Sequence, residues 1–215
     1  GQDCKWFDNF DDMIKEDLDG VLLTNNFHEH TPYILKCMEK NINVLTECVS
    51  NATMAEGVAL ARAYKNTKSI VMLAENYPHM LFNREMKKVC EGGTLGKILF
   101  AEGEYNHTGK GGNPWIMRLL NYDPKHWRNY LPRSYYVTHS LAPLMNSTGA
   151  TPKKVTAFNV GVPIPEESVT LTNNEDKAAI IMTQNDDGSI FRFVGNSAFG
   201  STENCYRICG TKGQI

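Results

Sequence analysis

Between residues 20 and 74 three short apolar runs alternate with two stretches of helical period. The runs are Gly20-Val21-Leu22-Leu23-Thr24, residues 43–46 and residues 69–74; the helical stretches are 30–40 and 54 to about 66. Strand, helix, strand, helix, strand at this spacing is a pair of βαβ units, whose parallel strands need crossover helices of this length. The loops at the carboxyl ends of such strands are where open α/β sheets bind ligands. Glu47-Cys48, at the end of the second run, and Asn25-Asn26-Phe27-His28-Glu29-His30, after the first, therefore fall on the chemically useful rim.

Local signals agree with this order. Phe10, Met13 and Ile14 share one helical face behind the acidic pair Asp11-Asp12, which suits a helix N-terminus. Pro32 stands in the first turn of the helix at 30–40, and Thr53 with Glu56 three residues later spells a capping box. After Pro78 a helix over 82–91 ends at Gly92-Gly93. The character then changes: residues 97–106, 153–160, 177–184, 189–196 and 204–210 read as strands, with Asp186-Asp187-Gly188 as a hairpin turn and one helix over about 138–147. The expected class is α/β. An incomplete Rossmann-like, doubly wound parallel sheet (1–78) leads through a connecting helix (79–95) to an α+β domain with a mainly antiparallel sheet (96–215), unfinished at its C-terminal end.

The 215 residues are 41% hydrophobic, enough to bury a core, and a formal net charge of −2 gives no electrostatic reason to expect nucleic acid or a membrane surface. No apolar run approaches the length of a bilayer span, and the start, GQDCKWFDNF, lacks the regions of a signal peptide. Six scattered cysteines without a C-x-x-C pair fit reduced thiols, so a soluble, cytoplasmic protein is expected and the sequons at Asn51, Asn106 and Asn146 are read as chance. No G-x-G-x-x-G follows a strand; the glycines of 109–113 (GKGGN) read as a flexible loop. Either the first βαβ unit of a dinucleotide-binding fold is outside this chain, or the chain is a non-catalytic fragment or binding module.

Three clusters carry candidate chemistry. The His-x-His of His28 and His30 has no third ligand at convincing spacing, so no metal is expected, and polar capping of a helix is the simpler reading. Cys48 reads as a buried thiol and Glu47 as either structural or functional. Tyr136 and His139, at i and i+3 where the second domain's helix opens, place a phenol beside an imidazole suited to general acid/base work. Tyr135 adjoins them, and Tyr105, His107, His126, Trp127 and Arg128 add polar and aromatic groups of the kind that line a sugar-sized pocket.

Taken in order, HEHTP, VLTECV, LAENYPH, EGGTLGKILFAEGEY, HWRNY and YYVTHSLAPL resemble the Gfo/Idh/MocA family of NAD(P)-dependent sugar and cyclitol oxidoreductases over most of the chain. That family usually has Glu-Lys-Pro where this chain has Glu47-Cys48-Val49, with the Lys as catalytic residue, and an Asp where Tyr135 stands; His139 matches its catalytic His. The stretches LAENYPH, GEYNH and YYVTHSLAPL are most similar to the branch that contains the NAD-dependent family 109 glycosidases, whose Tyr-x-Thr-His matches Tyr136 to His139 and whose Tyr-x-His matches Tyr105 to His107.

The resemblance implies NAD or NADP as cofactor, contacted by Asn25, Asn26, His28, His30, Glu47, Cys48, Glu75 and Asn76. It implies a sugar or glycoside bound by Trp127, Arg128 and Tyr135, catalysis by Tyr136, His139, Tyr105 and His107, and homo-oligomers formed through the second-domain sheet. The expected activity is hydride transfer to or from the sugar. The alternative is a glycosidase that oxidises C3 transiently, eliminates the aglycone after loss of the C2 proton, then adds water and restores the alcohol.

Overall fold

The structure, a computed structural model, describes residues 4–107, 133–161, 178–197 and 199–215. It contains two compact units, Gly1–Ala74 and Glu75–Ile215. The loop expected at 109–113 and the residues His126, Trp127 and Arg128 lie outside the described residues.

The first unit runs α1 (Phe10–Met13), β1 (Gly20–Leu23), α2 (His30–Glu39), β2 (Asn43–Thr46), α3 (Met54–Tyr64) and β3 (Val71–Leu73). The three strands form a parallel sheet in the order β1-β2-β3, Val21 opposite Val44 and Val44 opposite Val71. Because both crossovers step the same way along the sheet, a right-handed path puts both helices on one face. Val21, Leu23 and Val44 point into that face and pack with Ile34, Cys37 and Met38 of α2, while Leu60 and Ala63 of α3 close its side. Burial pushes the Cys37 thiol up to about 11, which makes it an inert core residue. The alternate residues Leu22, Leu45 and Met72 are exposed on the opposite face.

Each helix start has a readable cause. Asn9 caps α1 by accepting the Asp12 N–H at 2.9 Å, and Thr53 and Glu56 form the complete capping box of α3. The helix α3 ends at Tyr64 rather than near Asn66, and the Asn66 amide donates back to the Arg62 carbonyl at 3.3 Å. The third strand is also shorter than its apolar run, because the turn before it takes Ser69: its N–H donates to Thr67 Oγ1 at 3.1 Å. At α2 the expected polar cap is not seen, since Glu29 makes no side-chain capping bond.

The second unit comprises a 3-10 turn (Tyr77–His79), α4 (Leu81–Glu91), β4 (Ile98–Asn106), a second 3-10 turn (Arg133–Tyr135), α5 (Thr138–Thr148), β5 (Pro152–Val160), β6 (Ala178–Asn185), β7 (Ile190–Asn196) and β8 (Glu203–Gly210). Its sheet has the order β5-β6-β7-β4-β8, antiparallel throughout except that β4 runs parallel to β7. The alternation along each strand sends Ala101, Ile181, Phe191, Phe193 and Ile208 to one face, where Met86 of α4 and Leu144 of α5 cover them. Phe191, Leu144 and Ile208 are fully buried, each burial stabilising by roughly 1.5–3 kcal/mol. The other face carries an ion ladder: Arg192 reaches Glu102 at 3.2 Å and Glu104 at 3.1 Å, and Arg207 reaches Glu102 at 2.6 Å. Phe158 and Met182 are exposed beside it.

The carboxyl ends of the parallel pair β4/β7 are tied by Asn196, which has no solvent exposure. Its amide nitrogen donates to Asn106 Oδ1 at 3.0 Å and to the Phe199 carbonyl at 2.7 Å, and its carbonyl accepts the His107 N–H at 2.7 Å. Asn106 is thereby buried with its side chain engaged, which removes one of the three sequons as a surface acceptor. No helix among the described residues is long and apolar enough to cross a membrane.

Candidate functional site

The second unit concentrates its buried polar chemistry around His139. This residue follows Thr138, the first residue of α5, and is 7% exposed; Glu75, 64 residues earlier, is also 7% exposed. His139 Nδ1 lies 2.7 Å from Glu75 Oε1, and His139 Nε2 lies 2.7 Å from the Tyr136 hydroxyl. Burial pushes the Glu75 carboxyl up, but the hydrogen bond with His139, the Tyr77 N–H at 3.0 Å and the attraction of His139 outweigh it, and the net direction is down. Glu75 is therefore ionised at neutral pH and only accepts, so Nδ1 carries a proton. In the neutral ring Nε2 is then the acceptor and Tyr136 donates to it. The result is a directed chain, Tyr136 to His139 to Glu75.

Aromatic rings enclose that chain. Tyr77 stacks on the His139 ring with centroids 4.2 Å apart and an interplanar angle of 28°. Tyr105, 6% exposed, meets His139 edge to face at 4.7 Å and Tyr136 at 5.5 Å. His107, just past the end of β4, stacks on Tyr105 at 5.2 Å. From β8, the Tyr206 hydroxyl donates to the His139 carbonyl at 2.6 Å. Burial drives the Tyr206 phenol far up, so it serves as a fixed neutral donor at the start of α5.

The geometry thus brings together Tyr136, His139, Tyr105 and His107, and adds Glu75, which the sequence reading grouped with the cofactor contacts. Tyr135 closes the 3-10 turn before α5 and is half-buried, and Asn76 is exposed. Tyr77, Tyr206 and Asn204, whose amide donates to the Tyr77 hydroxyl at 3.2 Å, are members that the sequence does not single out. Tyr77 had a signal, an aromatic residue in the polar turn directly after an apolar run; Asn204 and Tyr206 had none, because nothing in a strand sequence states which helix its side chains will meet.

The arrangement can move a proton. A group that gives a proton to the Tyr136 oxygen lets the phenol pass its own proton to Nε2, and the resulting imidazolium faces the Glu75 carboxylate. That is general acid/base machinery with a buried counter-charge.

In the first unit the remaining candidates sit at the carboxyl ends of β1 and β2. Asn25, Asn26 and Glu47 are exposed, and His28 lies near the Glu29 carboxylate at 4.0 Å. Glu47 and Cys48 follow β2, the Cys48 N–H donating to the Glu47 carboxylate at 3.3 Å, and Cys48 is buried. His30 differs from its neighbours. It is 1% exposed, and its ring stands between two backbone carbonyls, Val49 at 2.6 Å from Nδ1 and Asn25 at 3.2 Å from Nε2. Beside it Thr31 Oγ1 donates to the Ser50 carbonyl at 3.1 Å. This histidine ties the loop after β1 to the loop after β2.

No family model matches the chain. Among curated proteins it is similar to the glycosyl hydrolase family 109 protein 1 of Bacteroides fragilis, 25% identical over 136 residues, which is 60% of this chain and 27% of that protein. A glycosyl hydrolase family 109 protein of Saccharopolyspora erythraea is 25% identical over 145 residues, 64% of this chain and 30% of the relative. The chain thus spans less than a third of the length of these relatives.

Among solved structures, a myo-inositol 2-dehydrogenase from Lactobacillus plantarum superposes with a TM-score of 0.75 at 17% identity, over 97% of this chain and 60% of that one. A scyllo-inositol dehydrogenase from Lactobacillus casei, solved with NAD(H) and scyllo-inositol, gives 0.73 at 18% identity over the same shares. The chain shares the fold of these two dehydrogenases, with a parallel sheet in one unit and a largely antiparallel sheet in the other, and the resemblance drawn from the sequence holds at the level of fold.

Proposed function

We propose that the intact protein is an NAD-dependent enzyme acting on a sugar or glycoside by hydride transfer, with Tyr136 and His139 moving the hydroxyl proton. The observation that carries the reading is the buried chain from the Tyr136 hydroxyl through His139 to Glu75, with both contacts at 2.7 Å. A carbinol becomes a carbonyl only if its hydroxyl loses a proton as its carbon loses a hydride. The chain supplies the first half of that chemistry without the lysine that Cys48 replaces. Tyr136 takes the proton, His139 accepts the one Tyr136 gives up, and Glu75 balances the imidazolium. Such proton transfer contributes about 10²–10⁴-fold.

NAD supplies the hydride acceptor when bound. The residues of the first unit fit one end of it. Asn25, Asn26, His28, Glu47 and Cys48 lie at carboxyl ends of parallel strands, where the nicotinamide ribose would be held, and His30 would act by holding those loops. They do not offer a pyrophosphate cradle: Gly20 opens β1, and Gly57 lies inside α3 with Asn51 Nδ2 only 3.2 Å from where a Cβ would stand. The relatives' greater length supports a cradle encoded outside these residues. Self-association through the sheet face bearing Phe158, Met182 and the Arg192 ladder belongs to the same proposal.

The second reading, a redox-assisted glycosidase, is favoured by one observation: Tyr105 and His107 of the Tyr-x-His stack beside Tyr136 and His139 of the Tyr-x-Thr-His. Incubating the intact protein with NAD and either a free sugar panel or nitrophenyl glycosides separates the two. Steady NADH production supports the oxidoreductase. Aglycone release without NADH accumulation supports the glycosidase. Neither signal, with a protein that binds NAD, overturns both.

A further inference from the structure

We propose that Tyr77 is the positioning residue of the proton relay: it holds the Glu75 carboxylate through its main chain and the plane of the His139 imidazole through its ring, so that one residue sets both ends of the buried contact. The inference rests on the relay described above, and it concerns a residue that none of the recognised motif positions assigns a role.

Three observations converge on it. The Tyr77 N–H donates to Glu75 Oε1 at 3.0 Å, the same oxygen that receives His139 Nδ1 at 2.7 Å. The Tyr77 ring covers the His139 ring at 4.2 Å and 28°, an offset stack that restricts rotation of the imidazole about χ2 and faces a ring quadrupole to the charge it acquires when Tyr136 releases its proton. Tyr77 itself is pinned at both ends. Its carbonyl accepts the amide of Asn83, a 1% exposed residue of α4, at 2.8 Å, and its hydroxyl accepts the amide of Asn204 from β8 at 3.2 Å. Tyr105 meets the Tyr77 ring at 5.6 Å and 84°, which closes the remaining side.

The physical need is specific. An imidazole free to rotate about χ2 would turn Nδ1 away from Glu75 and put Cδ2–H in its place, and it would face Tyr136 with Cε1–H instead of the Nε2 lone pair. A base needs one tautomer and one orientation. The carboxylate selects the tautomer, and the stacked phenol keeps the ring in the plane where that selection reaches Tyr136.

The test is nitrogen NMR of the full chain labelled in histidine, near neutral pH. The unsubstituted protein is expected to show His139 as a single tautomer with Nδ1 protonated, and its ring carbon-bound protons shifted by the current of the stacked phenol. Tyr77→Phe keeps the face and should retain both signatures. Tyr77→Leu removes the face and should bring the two nitrogen shifts toward each other as the tautomers mix, and should lower kcat of the intact enzyme about tenfold with KM little changed. A Tyr77→Leu protein that folds and keeps the single-tautomer pattern overturns the proposal. If that variant does not fold, the unsubstituted chain still decides, because ring protons at unstacked positions overturn it. The tautomer readout needs no cofactor or substrate, so the redox reading can fail while this inference stands.

Discussion

Gly103 of β4 and Ser140 of α5 approach so closely that a Cβ on the glycine would lie 2.3 Å from the serine carbonyl oxygen. That contact seats the start of α5 on the strand, and its neighbours on either side are the site: His139 precedes Ser140, Tyr105 follows Gly103 by two, and their rings are 4.7 Å apart. The absence of a side chain at position 103 is thus what allows a helical histidine to lie against a strand tyrosine. Gly103→Ala must move a backbone segment rather than a flexible side chain, and overpacking of this kind costs about 1–3 kcal/mol. The expected result is a lower urea midpoint with an unchanged slope.

Glu75→Gln is expected to change how stability depends on pH. The Glu75 carboxyl is held below its ordinary range in the fold, so the folded protein binds that proton less readily than the unfolded chain does. The sign follows by linkage: the contribution is complete above the unfolded value of about 4.3 and is lost as pH falls through the lower folded value. The Glu75→Gln protein should be less stable than the parent at neutral pH. As pH falls below that unfolded value the gap should narrow, as the parent alone loses this contribution. Urea titrations from neutral pH downwards check both.

Much of this architecture was legible because it is written in local patterns. The alternation of apolar runs and helical periods between 20 and 74 announced the parallel sheet, and Thr53 with Glu56 announced the start of α3. Tyr136 and His139 could be paired because three residues separate them. Long-range choices left no such trace. Glu75 and His139 are 64 positions apart, and nothing in a post-strand glutamate states that an imidazole will be its partner. The parallel pairing of β4 with β7 was equally silent, since alternating burial fixes a strand's face and leaves its direction open. His30 looked like a helix-capping or cofactor residue; its engagement with the Val49 carbonyl, 19 residues on, depends on where the second loop comes to rest.

His30→Ala should therefore loosen the loop after β2 more than it harms the core. The ring is replaced by a void, and the Val49 carbonyl, the nearer of the two at 2.6 Å, loses its buried partner, a change worth about 1–3 kcal/mol. Hydrogen exchange should rise at residues 47–52 while the amides of β1 and β2 that pair within the sheet remain protected. Uniform acceleration across the first unit would instead mean that His30 supports the whole sheet.

The relay can be tested without any substrate through its buried charge. His139→Ala leaves the Glu75 carboxylate, with a side chain 6% exposed, facing a space where its partner was. Because the ring is neutral, what the buried carboxylate loses is a charge-assisted hydrogen bond, a change of about 1.5–3 kcal/mol, while its desolvation remains. Replacing Glu75 by Gln in the same protein removes that stranded charge, so the double variant should be more stable than His139→Ala alone, although it lacks two native side chains. Tyr136→Phe touches only the outer end of the chain and should stay within about 1.5 kcal/mol of the parent. The same set then reports on function in the intact enzyme. If the three residues work as one unit, Tyr136→Phe and His139→Ala each lower kcat by about 10²–10⁴-fold, and combining them costs little more than the worse of the two. Losses that multiply would show that Tyr136 and His139 act on different protons, and the directed chain would have to be abandoned.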